Sequence, residues 1–305
     1  MDFESILSAN SNTAARIIIL FYLTDSCLSI KAFYHILKVV GTVYFFMAKI
    51  ISVVNQKGGT GKTTTATNLA AFLAALGQYV LLVDLDPQAN ATSGLGFEPE
   101  SLDRNLYHAL NEEFSPEQVI RRTNLFGYDL LPSGSDLAGA SIELVNLPER
   151  EFRLYNLLHQ VRTNYDYILI DCPPSLGLLT INGLTAADEI IVPVQCEYFA
   201  LEGLGQLLKT VNLIQDNLGR DVRIKGALLT MYDKRIKLSN QVAKEVRQHF
   251  PGYVFDSVVP RCIRLAEAPS FGKTIFQHDP ASLGGKAYRQ LAEEIIRLDK
   301  VDVNN

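Results

Sequence analysis

The sequence has 305 residues, 48% of them hydrophobic and 20% charged, and its formal net charge of −5 argues against a protein that coats DNA over its whole surface. A chain of this size and composition can bury a full core and fits one large α/β domain better than two small ones. The four cysteines, at positions 27, 172, 196 and 262, show no C-x-x-C spacing, so neither a disulfide framework nor a structural zinc site is indicated and a reducing cytoplasm is expected.

The first 46 residues need an interpretation of their own. Residues 17–23 are apolar but too few to span a bilayer, which takes about 20 residues in a helix. Residues 28–46 are interrupted by polar groups that fall on one helical face. Three interpretations stay open: an amphipathic segment on a membrane, a signal peptide, or sequence upstream of a true start at Met47. The last is favoured because Met47 leads directly into the first predicted strand, so we expect an N-terminal extension outside the fold and one domain at 47–305.

Hydrophobic periodicity predicts alternating strands and helices along the rest of the chain. Residues 50–54 predict a strand, 62–76 a helix, and 78–84 a strand buried on both faces, as in parallel sheets. The small and polar residues 89–99 predict a loop, and two short helical patterns fall within 104–126. The later predicted elements are strands at 128–131, 165–170, 189–194, 224–230 and 254–259, and helices at 136–161 with a break near Pro148, 176–187, 201–217, 238–250 and 283–298.

This alternation predicts an α/β fold with a doubly wound, mostly parallel sheet flanked by helices. In such sheets ligands bind at the carboxyl ends of the strands. Polar stretches follow three of the predicted strands: the loop 55–65, the pair Asp84 and Asp86, and Asp171. We therefore expect these residues to meet at one edge of the sheet and to form a nucleotide site.

The loop at 55–65 has the composition of a phosphate-binding loop. Its sequence is NQKGGTGKTTT, and it lies between a predicted strand and a predicted helix. Glycines let backbone N–H groups approach phosphate oxygens, the helix N-terminus adds its positive dipole end, Lys62 supplies a cation and Thr63 offers a hydroxyl to Mg²⁺. The usual pattern G-x-x-x-x-G-K-[ST] is not kept, because Gln56 stands at the first glycine position and an additional Lys57 precedes the glycines.

Phosphoryl transfer requires phosphate donors, a metal ligand and a group that orients the attacking water. The loop glycines and lysine fit the first role, Thr63 and Asp171 the second, and Asp86 the third. Asp86 is also a candidate metal ligand, and Asp84 is interpreted as a brace for the loop or the metal shell. The residues alone leave alternatives open: Asp171, and likewise the pair Asp84 and Asp86, could be turn or helix-capping residues, and Lys57 could be a solvated loop lysine.

Residues 220–273 are locally basic, with eleven Lys and Arg against five Asp and Glu. Lys234, Arg235 and Lys237 are predicted to lie in a loop after one strand, and Arg261 and Arg264 follow the next strand. Together they could form one phosphate-binding face. A solvated run of charges is the alternative. No helix with base-reading residues is apparent, so binding to nucleic acid would be independent of sequence.

Four stretches carry a family resemblance: KGGTGKTT at 57–64, VDLDPQ at 83–88, ILIDCPPSLG at 168–177 and IRLAEAPSFGK at 263–273. Together they resemble the ParA/MinD superfamily of P-loop ATPases, and in particular its chromosomal ParA, or Soj, branch. The first stretch is similar to that family's deviant Walker A loop, whose signature lysine is the early one. The resemblance spans residues 47–305 almost continuously.

The resemblance implies an ATPase that uses ATP and Mg²⁺ and forms an ATP-dependent sandwich homodimer, in which Lys57 reaches the phosphates of the partner subunit. By motif position, Lys62 and Thr63 contact phosphate and Mg²⁺, Asp86 acts on the water, and Asp171 is the Walker B acid. The implied nucleotide-binding residues are Lys57, Gly58, Gly59, Thr60, Gly61, Lys62, Thr63 and Thr64 in the loop, with Met231, Pro260 and Arg261 at the adenine pocket.

The resemblance also implies that arginines at the positions of Arg235 and Arg264 bind DNA non-specifically, and we expect Lys234 and Lys237 to join them. The implied function is ATP-dependent partitioning of chromosome or plasmid DNA. ATP binding drives dimerisation and DNA binding, and hydrolysis stimulated by a ParB-type partner resets the protein. The expected location is the cytoplasm, in association with the nucleoid.

Two other functions remain as alternatives. A MinD-like regulator that works at a membrane would need a basic amphipathic C-terminal helix, whereas residues 298–305 are short and acidic, so no membrane partner is expected unless residues 1–46 are genuine. An iron–sulfur ATPase would need paired cysteines at the dimer interface. Cys172 and Cys196 lie in apolar strand-end contexts, which argues against this alternative.

Overall fold

A computed structural model of the protein describes residues 47–197 and 204–302, so the predictions for residues 1–46 and for the start of the helix at 201–217 lie outside the described residues. The strands are β1 (Lys49–Val53), β2 (Val80–Asp84), β3 (Arg121–Arg122), β4 (Tyr128–Leu131), β5 (Tyr167–Asp171), β6 (Glu189–Gln195), β7 (Arg223–Tyr232) and β8 (Val254–Pro260). They form one eight-stranded sheet in the order β3-β4-β2-β5-β1-β6-β7-β8. All neighbours are parallel except β3 and β4, which confirms the predicted mostly parallel sheet.

Helices pack on both faces of this sheet. They are α1 (Lys62–Ala75), α2 (Asn90–Gly94), α3 (Leu106–Leu110), α4 (Pro116–Val119), α5 (Leu137–Glu143), α6 (Arg153–Val161), α7 (Leu178–Ala186), α8 (Leu204–Leu218), α9 (Lys237–His249), α10 (Ile263–Glu267), α11 (Ile275–His278) and α12 (Leu283–Asp302). Helices α1 and α12 cover one face, and α6 to α9 cover the other. Within the described ranges, no helix combines the length and the apolar character that crossing a bilayer requires.

The central strands are mostly apolar, and both faces of the sheet are covered. Ile50 belongs to the hydrophobic cluster on one face and Ile51 to the cluster on the other, and Leu81 and Leu82 divide in the same way. Every residue of β2 and β5 is buried. Continuous runs of this kind are typical of parallel sheets, and they explain why each of the seven predicted strands is present with ends within two residues of the prediction.

The register of the central strands brings three chain segments to the same level. Val53, the last residue of β1, pairs with Asp171, the last residue of β5. Asp171 in turn pairs with Asp84, the last residue of β2. Because the three strands are parallel, the phosphate-loop candidate and both aspartates emerge side by side at the carboxyl edge of the sheet.

Two local predictions were wrong. Residues 89–99 are not a loop throughout, because Asn90–Gly94 forms helix α2 and Pro99–Ser101 a 3₁₀ turn. The side chain of Asp84 accepts a hydrogen bond from the backbone N–H of Thr92, so the first turn of α2 is stabilised by a residue outside it. The short strand β3 was missed, since two residues are too few to show a period.

The amino edge of the sheet carries a network of paired charges. Lys225 Nζ donates to Glu189 Oε2 and to Asp299 Oδ1, both at 2.6 Å. Lys49 Nζ donates to the same Asp299 oxygen at 2.6 Å, and the Tyr167 hydroxyl donates to Asp299 Oδ2 at 2.7 Å. Asp299 lies on α12, whereas the other four residues lie near the starts of strands. The network therefore fastens α12 to the beginning of the sheet.

Candidate functional site

The loop between β1 and α1 is held in place by hydrogen bonds to β6 and β7. Asn55 Nδ2 donates to the carbonyl of Pro193 on β6 at 2.7 Å, and Asn55 Oδ1 accepts from the N–H of Lys57 at 3.0 Å. Thr230 Oγ1, on β7, donates to the carbonyl of Thr60 at 2.8 Å. Gly61 enters α1 with a φ of +88°, in the left-handed region that glycine adopts without strain. The neighbouring strands thus fix the backbone that the sequence predicts to bind phosphate.

Lys62 is buried at the first position of α1, with 7% of its surface exposed. Its Nζ donates to the carbonyl of Lys57 at 3.3 Å, across the loop. Burial lowers the pKa of Lys62, and the nearby Asp171 offsets only part of this shift. A buried ammonium group with one long carbonyl contact retains donors for an anion, and phosphate is the anion that this type of loop binds.

Asp171 is the least satisfied charged group of the site. Its side chain is fully buried, and neither carboxylate oxygen has a hydrogen-bond partner among the residues that the structure describes. Burial, and next the charge of Asp84, raise the pKa of Asp171 well above its ordinary range. The Thr63 hydroxyl opposes this shift from close by, without reaching hydrogen-bond geometry. Asp171 caps no helix, so the alternative interpretation as a capping residue was wrong.

This carboxylate and hydroxyl fit a Mg²⁺ ion. In the described part of the chain, no three His, Cys, Asp or Glu side chains are arranged to hold a metal by themselves. Magnesium in nucleotide sites usually takes one or two protein oxygens and completes its shell with phosphate and water. The residues that would hold it are Thr63 and Asp171, with Asp86 close enough to act on the pKa of Asp171. The arrangement suits a metal that arrives with a nucleotide.

The two aspartates after β2 have different environments. Asp84 is fully buried and accepts hydrogen bonds from the backbone and the hydroxyl of Thr92, at 2.8 and 2.7 Å. Burial raises its pKa to about 6, although these hydrogen bonds oppose the shift. Asp86 retains 8% exposure and accepts from the N–H of Gln88 at 3.0 Å. Asp84 therefore braces the loop, whereas Asp86 keeps a small solvent-exposed fraction.

Gly58 and Gly59 form the exposed crest of the loop. A Cβ atom at either position would meet nothing within 4 Å. The Lys57 side chain is half-buried, while its backbone carbonyl accepts from Lys62 and from the hydroxyl of Thr60. The structure therefore leaves free space beside the glycines, and Thr64 is half-buried at the start of α1.

The adenine-pocket candidates lie at the ends of β7 and β8. Tyr232 pairs with Pro260, and the N–H of Arg261 donates to the carbonyl of Tyr232 at 3.1 Å. Met231 has a φ of +51°, which is unusual for a residue with a side chain, and its Sδ accepts from Gln195 Nε2 at 3.4 Å. These residues share the sheet edge with the phosphate loop, because Thr230 contacts that loop directly. Arg261 also forms an exposed ion pair with Glu197 at 3.4 Å.

The DNA-face candidates are exposed but not all as predicted. Lys237 is the first residue of α9 and does not lie in the preceding loop, because Ile236 already forms the helix cap. Lys234 and Arg235 do lie in that loop. Arg235 is paired with Asp233 at 2.7 Å, and its hydrogen bonds lower the pKa of Asp233 to about 2. Such exposed pairs contribute little to stability, so this pairing leaves the arginine available for phosphate.

Arg264 lies on the short helix α10. It pairs with Glu267 at 2.9 Å and lies 3.8 Å from Asp279, while 58% of its side chain remains exposed. Because β7 and β8 are adjacent and parallel, the segments that carry Arg235 and Arg264 leave the same edge of the sheet. The two cysteines considered for the iron–sulfur alternative, Cys172 and Cys196, are both buried.

Sequence reasoning missed the residues that hold the site together. Asn55 and Thr230 anchor the phosphate loop, and Thr92 and Ser133 anchor the loop after β2. The position of Asn55 beside the glycine loop was an available signal. Thr230 and Ser133 lie on distant segments, and no local pattern distinguishes them from other small polar residues at strand ends.

Comparisons with known proteins give the same family. A family model described as an AAA domain matches residues 48–224. The sporulation initiation inhibitor protein Soj of Bacillus subtilis is 53% identical over 249 residues, which is 82% of this chain and 98% of that protein. The chromosome partitioning protein ParA of Myxococcus xanthus is 48% identical over 253 residues, covering 83% of this chain and 89% of that protein.

Solved structures share the fold. Cobyrinic acid a,c-diamide synthase of Mycobacterium smegmatis, with bound ADP and magnesium, superposes with a TM-score of 0.75 at 38% identity, covering 83% of this chain and 96% of that one. The septum site-determining protein MinD of Pyrococcus horikoshii, complexed with Mg-ADP, gives a TM-score of 0.67 at 26% identity, covering 84% and 98%. Adenine nucleotide and magnesium are thus the ligands of related structures, as predicted from the loop. The chain belongs to the ParA/MinD superfamily of P-loop ATPases, in its Soj/ParA branch.

Proposed function

We propose that the protein is an ATP-driven DNA-partitioning ATPase. In this proposal ATP binding drives dimerisation and non-specific DNA binding, and hydrolysis returns the protein to its free state. The observation that carries the proposal is the convergence of three neighbouring strand ends. They bring a buried lysine, Lys62, to the same place as the exposed glycine crest and Asp171, whose carboxylate has no partner among the residues that the structure describes.

The chain's own residues account for nucleotide binding as follows. The N–H groups of residues 58–64 and the ammonium of Lys62 bind the phosphates, and the positive end of the α1 helix dipole adds to this attraction. Thr63 and Asp171 hold Mg²⁺, which when bound neutralises charge on the transferring phosphoryl group. Asp86 orients the attacking water, a task for which its partial exposure suits it.

Lys57 contributes to the partner subunit's site in this proposal. Support comes from its position beside the open space over Gly58 and Gly59, and from the Asn55 contact that fixes its backbone. A lysine held there is superfluous for the nucleotide of its own subunit, since Lys62 already supplies the cation. We expect Lys57→Ala to bind ATP as a monomer but to lose ATP-dependent dimers in light scattering. A dimer of wild-type strength would contradict this role.

DNA binding is proposed for the face formed by Lys234, Arg235, Lys237 and Arg264. It is supported by their exposure and by the common sheet edge from which their segments extend. Contacts from such side chains to the phosphate backbone carry no sequence information, so binding is non-specific and sensitive to salt. A ParB-type activator and a location on the nucleoid, in the cytoplasm, complete the proposal.

The membrane-based alternative is tested by the same experiment. The full chain and a variant that begins at Met47 are each sedimented with non-specific duplex DNA or with anionic liposomes, in ATP, ADP or no nucleotide. We expect ATP-dependent binding to DNA by both proteins and none to liposomes. ATP-dependent binding to liposomes without binding to DNA would overturn the partition function in favour of a MinD-like one. Binding to liposomes by the full chain alone would assign that activity to residues 1–46.

A further inference from the structure

Four residues close the loop after β2 into a ring of hydrogen bonds. Asp84 Oδ1 accepts from the N–H of Asp86 at 3.3 Å, and Asp84 Oδ2 accepts from the Thr92 hydroxyl at 2.7 Å. The same hydroxyl accepts from the N–H of Ser133 at 3.0 Å. Ser133 Oγ completes the ring by donating to the carbonyl of Asp86 at 2.7 Å. The backbone of Asp86 is therefore held on both sides, at its N–H and at its carbonyl.

The ring allows only one assignment of donors and acceptors, in which Ser133 donates twice and Asp84 accepts twice. A backbone N–H can only donate, so the Thr92 hydroxyl must accept from the N–H of Ser133. Its own hydrogen atom is then donated to Asp84. Asp84, Thr92 and Ser133 are fully buried, which removes water as a substitute partner. Because the donors and acceptors cannot be exchanged and water cannot replace them, the ring fixes the conformation of the loop.

We propose that Thr92 and Ser133 are positioning residues for ATP hydrolysis. They hold the peptide groups on both sides of the Asp86 side chain, so that its carboxylate presents to the attacking water in one orientation. The proposal rests on the proposed role of Asp86. Small displacements of a group that aligns a reactant reduce the rate of the chemical step far more than they reduce binding.

The test compares Thr92→Val with Thr92→Ser. Valine keeps the shape and the backbone N–H bond to Asp84 but removes the hydroxyl, whereas serine restores it. We expect Thr92→Val to lower kcat about tenfold with little change in KM, and Thr92→Ser to recover most of the rate. Ser133→Ala removes the other end of the ring and is expected to act in the same direction, which keeps the test available if Thr92→Val does not fold.

Thr185→Val is the matched control. Thr185 is also fully buried, but its hydroxyl has no hydrogen-bond partner in the described part of the chain, so its loss should leave kcat unchanged. Folded Thr92→Val and Ser133→Ala with wild-type kcat would overturn the proposal, provided that Asp86→Ala is inactive. If Asp86→Ala itself keeps wild-type turnover, the assigned role of Asp86 is what fails.

A separate contact joins this loop to the segment that carries Arg264. Gly96, just after α2, lies against Gly272: a Cβ on Gly272 would stand 2.8 Å from Gly96 Cα, and a Cβ on Gly96 would stand 3.3 Å from the Gly272 carbonyl oxygen. A Cβ on Gly94 would contact Pro269 at 3.5 Å. The two backbones therefore touch directly.

The same segment is also tied to the phosphate-loop helix. Asn68 on α1 donates to the carbonyl of Thr64 at 2.8 Å and accepts from the N–H of Ile275 at 2.7 Å. Between α1, α2 and this segment lies a cavity of about 40 Å³, lined by Thr63 and Lys273 among others. The segment thus contacts both elements of the nucleotide site, and the cavity leaves room for a small shift between them.

We propose that the contact between Gly96 and Gly272 couples the nucleotide site to the DNA face within one subunit. A shift of the loop after β2 moves the 268–272 turn, and with it Arg264 on the preceding helix. The coupling rests on the proposed DNA face, and its signature is a change in how strongly ATP affects DNA affinity, with ATP affinity itself preserved.

Gly272→Ala tests the coupling, with Gly219→Ala as control. The two glycines have nearly equal φ values, +62° and +64°, so alanine strains both backbones alike, but a Cβ at Gly219 meets nothing within 4 Å. DNA affinity is measured by fluorescence anisotropy on a non-specific duplex in ATP and in ADP. We expect the ratio of the two affinities to fall about tenfold in Gly272→Ala and to be unchanged in Gly219→Ala.

An equal ratio in the two variants would overturn the coupling. Gly96→Ala, whose Cβ makes a milder contact, replaces Gly272→Ala if the latter does not fold. Arg264→Glu is measured in parallel, because wild-type DNA affinity in that variant would show that the DNA face, and not the coupling, is misassigned.

Discussion

The two edges of the central sheet both bury charge, but they treat it in opposite ways. At the amino edge, Lys225 is 4% exposed, and both of its carboxylate partners lie at 2.6 Å. At the carboxyl edge, Asp171 is fully buried and neither of its oxygens has a partner among the described residues. Within the described part of the chain, the Lys62 ammonium makes one long hydrogen bond there, to the carbonyl of Lys57 at 3.3 Å.

The difference separates structural charges from functional ones. Burying an ion is costly unless partners compensate for the lost water, and the amino edge supplies those partners from the chain itself. At the carboxyl edge the described residues supply no such partner to Asp171, which suits a site that a charged ligand completes. Unpaired buried groups at a strand end therefore locate the site more clearly than the presence of charge does.

The largest expected effect is at the carboxyl edge. Lys62→Ala removes the cation from the phosphate loop, and we expect ATP turnover to fall to background. The rise in melting temperature that ATP and Mg²⁺ give the wild type should vanish as well, because a ligand stabilises only a protein that binds it. ATPase assays and thermal shift measurements check both. A variant with full turnover would refute the site.

The amino edge should respond in stability, not in activity. Lys225→Met leaves Glu189 and Asp299 with less compensation, and we expect it to lower the free energy of unfolding by about 3 kcal/mol. Urea denaturation measures this change. Lys209→Met on the exposed side of α8 is the control, with an expected change under about 0.5 kcal/mol. Equal effects in the two variants would contradict the contrast between the edges.

Asp86→Ala tests whether the carboxyl edge serves hydrolysis separately from nucleotide binding. We expect ATP-dependent dimers to persist while kcat falls about 100-fold, because the group that orients the water is lost and the phosphate contacts remain. Light scattering and single-turnover assays separate the two properties. Loss of dimers at an unchanged rate per bound ATP would show that Asp86 binds and does not orient.

Exposed charges that form ion pairs, such as Arg235, are a third class. Substituting such a residue should have a smaller effect, on DNA affinity, and this effect should depend on the salt concentration. Arg235→Glu should weaken binding uniformly across DNA sequences and reduce the slope of log affinity against log salt by about one. Stability should hardly change, since the ion pair of Arg235 with Asp233 is exposed. An unchanged salt titration would count against the DNA face.

The smallest effect is the pH dependence of the amino-edge network. Burial alone would raise the pKa of Asp299, but Lys225, Lys49 and Tyr167 outweigh it and lower that pKa below the ordinary 3.8. The stabilisation is therefore present at neutral pH and lost as pH falls through the lowered pKa. The difference in urea midpoint between wild type and Asp299→Asn should shrink as the pH falls below 3.8. A constant difference would show that the carboxylate charge is not involved.

Local patterns predicted the repeating parts of the molecule. The buried strands, helix α1 and the glycine loop were accessible from sequence because hydrophobic period and glycine spacing are properties of short segments. The helix α2 was not, because its first turn depends on Asp84, eight positions from Thr92. Lys237 was predicted to lie in a loop because the end of β7 and the start of α9 lie only a few residues apart, which leaves the boundary of the helix poorly defined in the sequence.

The sequence by itself determined the fold class, the family and the candidates Lys57, Lys62, Asp86 and Asp171, since each is carried by a short motif. Only the tertiary structure decided which charges are compensated. Asp299 is held by several partners, whereas Asp171 has none in the described ranges, and this distinction depends on residues brought together from distant strands and from α12. The register of a parallel sheet is a non-local property, and it sets which strand ends become neighbours.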